Sequence, residues 1–500
     1  MTIRWESIER RACLLGAAVL ATLGLGGAPV KAQTPGVHLD IPATYLPVQG
    51  PGLAGLHLRI DPTDWSISAE QLSGGRTHSS DMGWSYILLV DLNRDGRDDL
   101  CGLYGFGRYS HSSHAFLCVL NQPNGGFGGT PMQVDAFNGP ADPSIHSTIT
   151  AVDLDGTGKP YLCGRTMEGV KCQGFFRDHF DPPVLVHPMF SDANYWNQWQ
   201  YYSTIGFAKL GGKLAICGRG TAGVLCYQES EWPGPTGELF ASAALTQTQF
   251  SDGAGWSTPD YFLTLRYVDI NGDGHSDICA RGIAGIVCSV FRPGPPTPHF
   301  APVELWTTQF SDAYGWRDAH YMTSIRFVDV SGDRAQDVCG RGSAGLYCGV
   351  SGSVSPGSPA TSLLPPLNGA GTLLQSQVSD ANGWGSPFDF PIDYQIAALH
   401  FVDFNGDGRN DFCAMGPVPN GARPEYPLTF LCAPNTGAPG AAAFGPLVLR
   451  TQGIRLDNFA GFLSGRLVVG RLYSGSNAGK IGFCWNDSYT GNVACSLPWN

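Results

Sequence analysis

Short β-rich runs alternate with acidic, glycine-containing turns along this chain. The run TLRYV ends at Val268 before a segment of Asp, Asn and Gly, and ICA follows that segment, ending at Ala280. Such runs between turn residues predict short β-strands, and we expect residues 261–268 to form the innermost strand of their unit. Residues 251–288 form a unit of aromatic corner, strand, acidic loop and cysteine hairpin, and residues 310–348 repeat the same parts in the same order. A repeat of about sixty residues predicts stacked supersecondary units.

The cysteines divide the chain in the same way. Fourteen of the fifteen form seven pairs of sequence neighbours: Cys101 and Cys118, Cys163 and Cys172, Cys217 and Cys226, Cys279 and Cys288, Cys339 and Cys348, Cys413 and Cys432, Cys484 and Cys495. A two-residue turn at Ile283 and Ala284 would place Cys279 opposite Cys288 on adjacent strands, which favours a disulfide. Zinc is the alternative, but it needs clustered pairs. We therefore expect about one disulfide in each of seven repeats.

Seven units of about sixty residues predict an all-β fold, a seven-bladed β-propeller of four-stranded antiparallel blades. Radial repetition closes the ring and leaves only short sheet edges. We expect residues 33–500 to form this single propeller domain. Residues 33–75 carry no cysteine hairpin and are predicted to supply the outer strand or strands of the last blade.

Residues 1–32 have the pattern of a secretory signal peptide. Arg10 and Arg11 precede an apolar run from Cys13 to Leu25, and Val30-Lys31-Ala32 resembles a cleavage site. The arginine pair is compatible with twin-arginine export. We expect a secreted or periplasmic protein after cleavage near Ala32, without a membrane span.

Four acidic loops place oxygen donors at alternate positions, as in the first half of a calcium loop. An aspartate at the ninth position closes each loop, so strands rather than helices should flank it. The candidate metal ligands are Asp91, Asn93, Asp95, Arg97 and Asp99; Asp269, Asn271, Asp273, His275 and Asp277; Asp329, Ser331, Asp333, Ala335 and Asp337; and Asp403, Asn405, Asp407, Arg409 and Asp411. We expect three to four Ca²⁺ ions. The alternative is a set of turns without metal.

The second, third and seventh repeats depart from this pattern, and the fifth departs from it at one position. Tyr161 replaces the closing aspartate of the second loop, and the third and seventh loops lack the ligands. Arg334 replaces the glycine of the fifth loop, for which we expect weaker binding.

Candidate ligand-binding residues follow from the order of the strands. Antiparallel connections alternate ends, so the acidic loops should lie on one face, and the Asp/Trp corners and arginine tips on the other. The corner residues are Asp81 and Trp84, Asp192 and Trp196, Asp252 and Trp256, Asp312 and Trp316, and Asp380 and Trp384. The tip residues are Arg219, Arg281 and Arg341, with Arg165 at the equivalent position of the second repeat.

Two interpretations of these residues remain open. An indole covers the apolar side of a pyranose, carboxylates accept hydrogen bonds from hydroxyls, and weak sites repeated around a ring gain from multivalency. Alternatively, the tryptophans pack as core between blades, the aspartates cap the turns and the arginines pair with them.

Composition excludes some functions. The formal net charge of −12 argues against a nucleic-acid partner, which requires clustered Lys and Arg. Only 14% of the residues are charged, while 67 are glycine. This composition is typical of many short strands and tight turns.

The segment VDINGDGHSDICARGIAGI, residues 268–286, resembles the FG-GAP/VCBS repeats of integrin-like propellers. The Ser-Asp-x-x-Gly-Trp corner before it resembles that of the fungal seven-bladed lectins that bind N-acetylglucosamine. The likeness covers repeats 1, 4, 5 and 6 and part of repeat 3. It implies a propeller with calcium sites and a sugar-binding function. The chain differs from the Gly-Phe-Gly that typically follows the loop in that family, with Cys-Gly-Arg-Gly or Cys-Ala-Arg-Gly instead.

Three functions follow as hypotheses. The first is a lectin-like module that binds glycans or cell-surface glycoconjugates. The second is an adhesion propeller that binds protein through a flat apolar patch. The third is a propeller hydrolase or lyase, but no nucleophile elbow, HExxH motif or paired His/Glu arrangement is present, so we predict no catalytic residues.

Overall fold

The structure is a computed structural model. It describes residues 56–58, 65–67, 82–106, 115–123, 127–140, 142–230, 239–240, 244–294, 297–351, 372–384, 399–417, 428–456, 467–472, 481–487 and 492–495. All of them belong to one compact unit, Leu39–Asn500. The predicted signal peptide, residues 1–32, lies outside the described residues.

The fold is an all-β propeller with four-stranded antiparallel blades. The strands of blade 1 are Met82–Val90, Asp99–Phe106, Ala115–Asn121 and Phe127–Gln133. Those of blade 2 are Thr150–Val152, Tyr161–Thr166, Gly169–Phe176 and Val184–His187, with His179–Phe180 as an addition to the third strand. Those of blade 3 are Gly206–Leu210, Lys213–Gly220, Gly223–Gln228 and Leu245–Gln247.

Blades 4 and 5 repeat this arrangement. Blade 4 has Arg266–Val268, Asp277–Gly282, Gly285–Ser289 and Glu304–Thr307, with a ribbon of Phe291–Arg292 and His299–Phe300. Blade 5 has Arg326–Val328, Asp337–Gly342, Gly345–Gly349 and Thr372–Gln375. Blade 6 has Leu399–Val402, Asp411–Pro417, Leu428–Ala433 and Val448–Leu456, and its fifth strand is Leu56–Leu58.

A further sheet consists of Leu467–Arg471, Ile481–Asp487, Asn492–Cys495 and Trp65–Ile67. In this sheet the described residues are the strands and Leu472. In blades 1 to 6 they also include loops that join the strands. The structure therefore shows six blades where the sequence predicts seven. The two N-terminal strands confirm that residues 33–75 supply outer strands. They do so for two sheets, because Leu56 pairs with Leu456 and Trp65 with Cys495.

All seven predicted disulfides are present. Each joins directly opposite residues of the second and third strands, or of the corresponding pair in the last sheet, as in Cys279 and Cys288. Their Cα atoms are 4.2 Å apart. The predicted two-residue turn at Ile283 and Ala284 is confirmed, since Gly282 pairs with Gly285.

The third strand begins with a glycine because the fourth strand passes very close to that position. Gly285 has φ 130°, and a β-carbon there would lie 1.9 Å from the carbonyl oxygen of Thr307. Gly169, Gly223 and Gly345 meet the same obstacle at 2.2 to 2.3 Å. Absence of a side chain therefore lets the fourth strand close on the tip of the hairpin.

The first strand of blade 4 is shorter than predicted. The sequence predicts one strand over residues 261–268, but the structure has a helical turn at Pro259–Phe262 and a strand only at Arg266–Val268. Proline is favoured in the first turn of a helix because its missing N–H needs no partner there. Equivalent turns are Trp199–Tyr202 in blade 3 and Ala319–Met322 in blade 5, and Pro143–His146 precedes blade 2. None of the helices in the described part of the chain is long and apolar enough to span a membrane.

The core lies between neighbouring blades. One cluster combines Ala215 and Cys217 of blade 3 with Ile278 and Ala280 of blade 4, and Trp256 lies in the same cluster. Each sheet thus buries its apolar face against the next sheet, as expected for repeats that cannot form a core alone.

Replacing Cys279 and Cys288 together by alanine should lower the unfolding free energy by about 3 kcal/mol, because a short loop is no longer closed in the unfolded chain. Removing the Cys413–Cys432 pair, which closes a loop about twice as long, should cost about 0.6 kcal/mol more. Denaturant unfolding of both variants measures these losses. Unchanged midpoints would contradict a stabilising role for the disulfides.

Candidate functional site

The corners are rigid turns attached to their own blade. In the corner after blade 4, the backbone N–H of Asp312 donates to the carbonyl oxygen of Ile283 at the hairpin tip, at 3.0 Å. Gly315 and Trp316 donate back to Asp312 and Ser311. The corners after blades 2, 3 and 5 make the same bond to their tips. Corners and tips therefore share one face, and the acidic loops lie at the opposite ends of the second strands.

The tip arginines are buried under the corners. Arg165, Arg219, Arg281 and Arg341 expose at most 3% of their side chains, and each pairs with the corner aspartate of its own blade. The Arg219 Nη1 to Asp252 Oδ1 distance is 2.6 Å, as is that from Arg341 Nη1 to Asp380 Oδ1. Burial lowers the pKa of Arg165 below its usual value. Buried cations need such partners, because desolvation of an unpaired charge is costly.

A tyrosine hydroxyl donates a hydrogen bond to the second carboxylate oxygen of the corner aspartate. The Tyr201 hydroxyl donates to Asp252 Oδ2 at 2.8 Å, and the Tyr321 hydroxyl donates to Asp380 Oδ2 at 2.5 Å. Burial, followed by this hydrogen bond, raises the pKa of Tyr321 to about 12. These tyrosines come from the helical turns. Sequence reasoning missed them, although Tyr201, Tyr261 and Tyr321 each follow a corner tryptophan by five residues.

The corner tryptophans belong to the core. Trp196, Trp256, Trp316 and Trp384 are 2 to 8% exposed. Each packs towards the following blade; Trp196 lies so close to Gly218 that a β-carbon there would be 2.6 Å from the indole. Their faces form no exposed plane for a sugar ring, and the structure favours the packing alternative for these four residues.

The first corner was predicted wrongly. Trp84 lies in the strand Met82–Val90 and pairs with Tyr104, and Asp81 lies outside the described residues. The reason is visible in the spacing. In the four true corners the tryptophan follows the aspartate by four residues, whereas Trp84 follows Asp81 by three. The spacing of Asp81 and Trp84 therefore differs from that of the four corners by one residue.

The packing explains the motif Cys-Gly-Arg-Gly. In blade 5, Cys339 forms the disulfide, Gly340 makes room for Trp316, and Arg341 holds Asp380. Gly342 then ends the strand at the hairpin tip. The motif therefore joins one blade both to the corner before it, through the glycine, and to the corner after it, through the arginine.

The acidic loops have a common internal geometry. In the fourth loop, the Asp269 carboxylate accepts from the N–H groups of Asp273 and Gly274, at 3.0 and 2.8 Å. Asn271 Oδ1 accepts from Asp273, and Asp273 Oδ1 from His275. The first and sixth loops show the same pattern. The side-chain oxygens at the first, third and fifth positions of the loop thus surround the turn.

The closing aspartates lie deeper. Asp99, Asp277, Asp337 and Asp411 are fully buried. Asp277 accepts from the N–H groups of Ile270 and Phe291, at 3.2 and 2.8 Å, and so joins the loop to the sheet. Burial raises the pKa of Asp99 and Asp337 to about 7 and that of Asp411 to about 6. Within the described residues, no three His, Cys, Asp or Glu side chains form a group suited to a metal ion.

The fifth loop is strained where the sequence departs from the pattern. Arg334 has φ 80°, where Gly96, Gly274 and Gly408 have φ 86°. A left-handed conformation is unfavourable for a residue with a β-carbon. This strain raises the energy of the fifth loop relative to the other three, and weaker calcium binding there stays a prediction.

The chain shares its fold with a lectin of known structure and aligns more weakly with other solved proteins. An Agrocybe aegerita lectin that recognises non-reducing terminal N-acetylglucosamine aligns with a TM-score of 0.53 at 21% identity, over 80% of this chain and 91% of the lectin. A Photorhabdus luminescens Tc holotoxin pore aligns at a TM-score of 0.38 and 12% identity, over 89% of this chain and 20% of that one. A Bacillus licheniformis rhamnogalacturonan lyase aligns at 0.34 and 10%, over 89% and 76%. Neither a protein-family model nor a curated protein matches the sequence.

Asp252→Asn should lower the unfolding free energy by about 2 kcal/mol, because the buried Arg219 loses its charged partner. Asp260→Asn is the matched control. Asp260 pairs with Arg317, whose side chain is 70% exposed, so the loss there should be below about 1 kcal/mol. Denaturant unfolding compares the two, and equal losses would contradict the role assigned to the buried pair.

Proposed function

We propose that this protein is an exported, calcium-stabilised seven-bladed propeller of the FG-GAP/VCBS type that binds glycans on its corner face. Export is supported by the seven disulfides, which persist in oxidising compartments. A signal peptide at residues 1–32 would provide the route.

The seventh blade is supported by a hydrogen bond that recurs between neighbouring blades. The residue before the closing aspartate donates its N–H to the end of the preceding first strand: Ser276 to Lys209, and Gln336 to Asp269. Asp98 donates in the same way to Arg471, at 2.7 Å. This bond supports the assignment of the last sheet as a seventh blade beside blade 1, which would close the ring.

Calcium is supported by the chemistry of the acidic loops. Their donors are oxygens, which suit a hard cation. Burial and the neighbouring Asp273 both raise the pKa of Asp269, to about 6, so the metal-free loop holds its carboxylate charges at a cost. Bound Ca²⁺ would offset that cost. Asp269, Asn271 and Asp273 would hold the ion, and Asp277 would fix the loop to the sheet.

Glycan binding is supported by one observation above all. The four corner aspartates remain 21 to 37% exposed although each is held by a buried arginine. A carboxylate has about four acceptor positions, so each corner presents a fixed acceptor to a sugar hydroxyl. The similarity of the fold to a lectin agrees with this function. The buried arginines and tryptophans hold the carboxylates of the corner aspartates in position.

Calcium should raise the melting temperature of the protein above its value in EDTA, since a ligand at 100 times its Kd stabilises the folded state by about 2.7 kcal/mol. Asp269→Asn should reduce this increase by removing one site. Asp153→Asn is the control, because the second loop has Tyr161 in the closing position. Thermal unfolding with and without Ca²⁺ measures the effect, and identical curves would refute calcium binding.

The wild-type protein should bind a subset of glycans on an array, and free sugar should compete for that binding. Removal of Ca²⁺ should weaken the signal only as far as it unfolds the blades. Absence of signal over a broad array, for protein shown to be folded, would refute the glycan function and favour a protein-binding propeller.

A further inference from the structure

Within the described residues, large exposed apolar side chains occur on the corner face in two pairs. Met167 and Tyr195 of blade 2 expose 67% and 69% of their surface, and Ile283 and Tyr314 of blade 4 expose 68% and 60%. In each pair the first residue lies at the hairpin tip and the second in the corner. The tip carbonyl accepts from the corner aspartate at 3.0 Å in both blades, so the two parts adjoin.

Blades 3 and 5 lack such pairs. The tip and corner of blade 3 present Thr221, Ala222, Gly253 and Ala254, and those of blade 5 present Ser343, Ala344, Ala381 and Asn382. The backbone scaffold is the same in all four blades. The fold therefore does not require the large exposed side chains that are present at these two alternate corners.

Tyr195 is also in an unfavourable conformation. Its φ is 65°, at the corner position where Gly255, Gly315 and Gly383 have φ 81 to 90°. Glycine adopts this region freely, whereas a residue with a β-carbon is strained there by about 1 kcal/mol. An exposed aromatic ring that makes the fold less stable indicates a role outside folding.

Each tyrosine stands beside a fixed carboxylate. Asp192 precedes Tyr195 by three residues and is 37% exposed, and Asp312 precedes Tyr314 by two and is 21% exposed. A ring that covers the apolar side of a pyranose, next to an acceptor for its hydroxyls, is the combination that a sugar site needs. The buried tryptophans cannot supply that ring.

We propose that Tyr195 with Met167, and Tyr314 with Ile283, are the two sugar-stacking platforms of this protein. The ligand class is a neutral glycan whose pyranose rings lie on the tyrosines while Asp192 and Asp312 accept from its hydroxyls. This inference rests on the proposed glycan function and limits it to two of the corners. Two platforms separated by one blade also favour multivalent glycans.

The test uses an array of immobilised neutral glycans and the full-length protein. Tyr195→Gly combined with Tyr314→Ala should weaken binding about tenfold or more, because both rings are lost and with them the gain from two sites. Tyr195→Gly introduces the glycine that the other three corners have at this position, so its melting temperature should equal or exceed that of the wild type. Tyr195→Phe keeps the ring and should retain binding.

Leu305→Ser is the control, since Leu305 is an apolar residue of the fourth strand with 42% exposure away from the corners. It should bind like the wild type. If the wild type binds glycans and the double variant binds equally well, the platforms are refuted while the glycan function stands. If the wild type binds none, both are refuted. If sedimentation shows that the double variant loses self-association instead of glycan binding, the pairs contact a second copy and the inference is overturned.

Discussion

The structure depends on a buried guanidinium held by a corner carboxylate. An arginine side chain with no exposure is costly to desolvate, and it is tolerated only where an ion pair and further hydrogen bonds compensate. Arg281 meets this requirement with Asp312, the carbonyl oxygen of Phe310 and the carbonyl oxygen of Asp260. Because its partners come from the corner and the helical turn, the arginine fixes both to the end of its sheet.

The corner connects two blades through two different forces. Its aspartate is bound electrostatically to the blade that has just ended, and its tryptophan packs against the blade that follows. A disulfide, by contrast, acts within one sheet. The relative position of neighbouring blades is therefore set by the corners and by the clusters between sheets, while the sulfur links hold each hairpin together.

The sequence predicted the repeat, the disulfide pairs and the arrangement of corners and tips, because these follow from period and strand alternation. It left the role of the indoles open, since burial of Trp256 depends on a neighbour in the next repeat. It missed the helical turn at Pro259–Phe262, where the apolar pattern allowed a strand. It also missed the exposure of Tyr195 and Tyr314, which no local pattern reveals. The wrong prediction at Trp84 came from accepting a corner with one residue too few.

The strands Leu56–Leu58 and Trp65–Ile67 pair with the last two sheets of the chain. Partners about 400 residues apart can meet only once both segments have been synthesised, and such distant contacts slow folding because the intervening chain must first be closed into a loop. Intermediate blades can assemble one after another during synthesis. The N-terminal strands can pair only after the C-terminal strands have formed. Until then, the two exposed sheet edges are where premature association with other chains would begin.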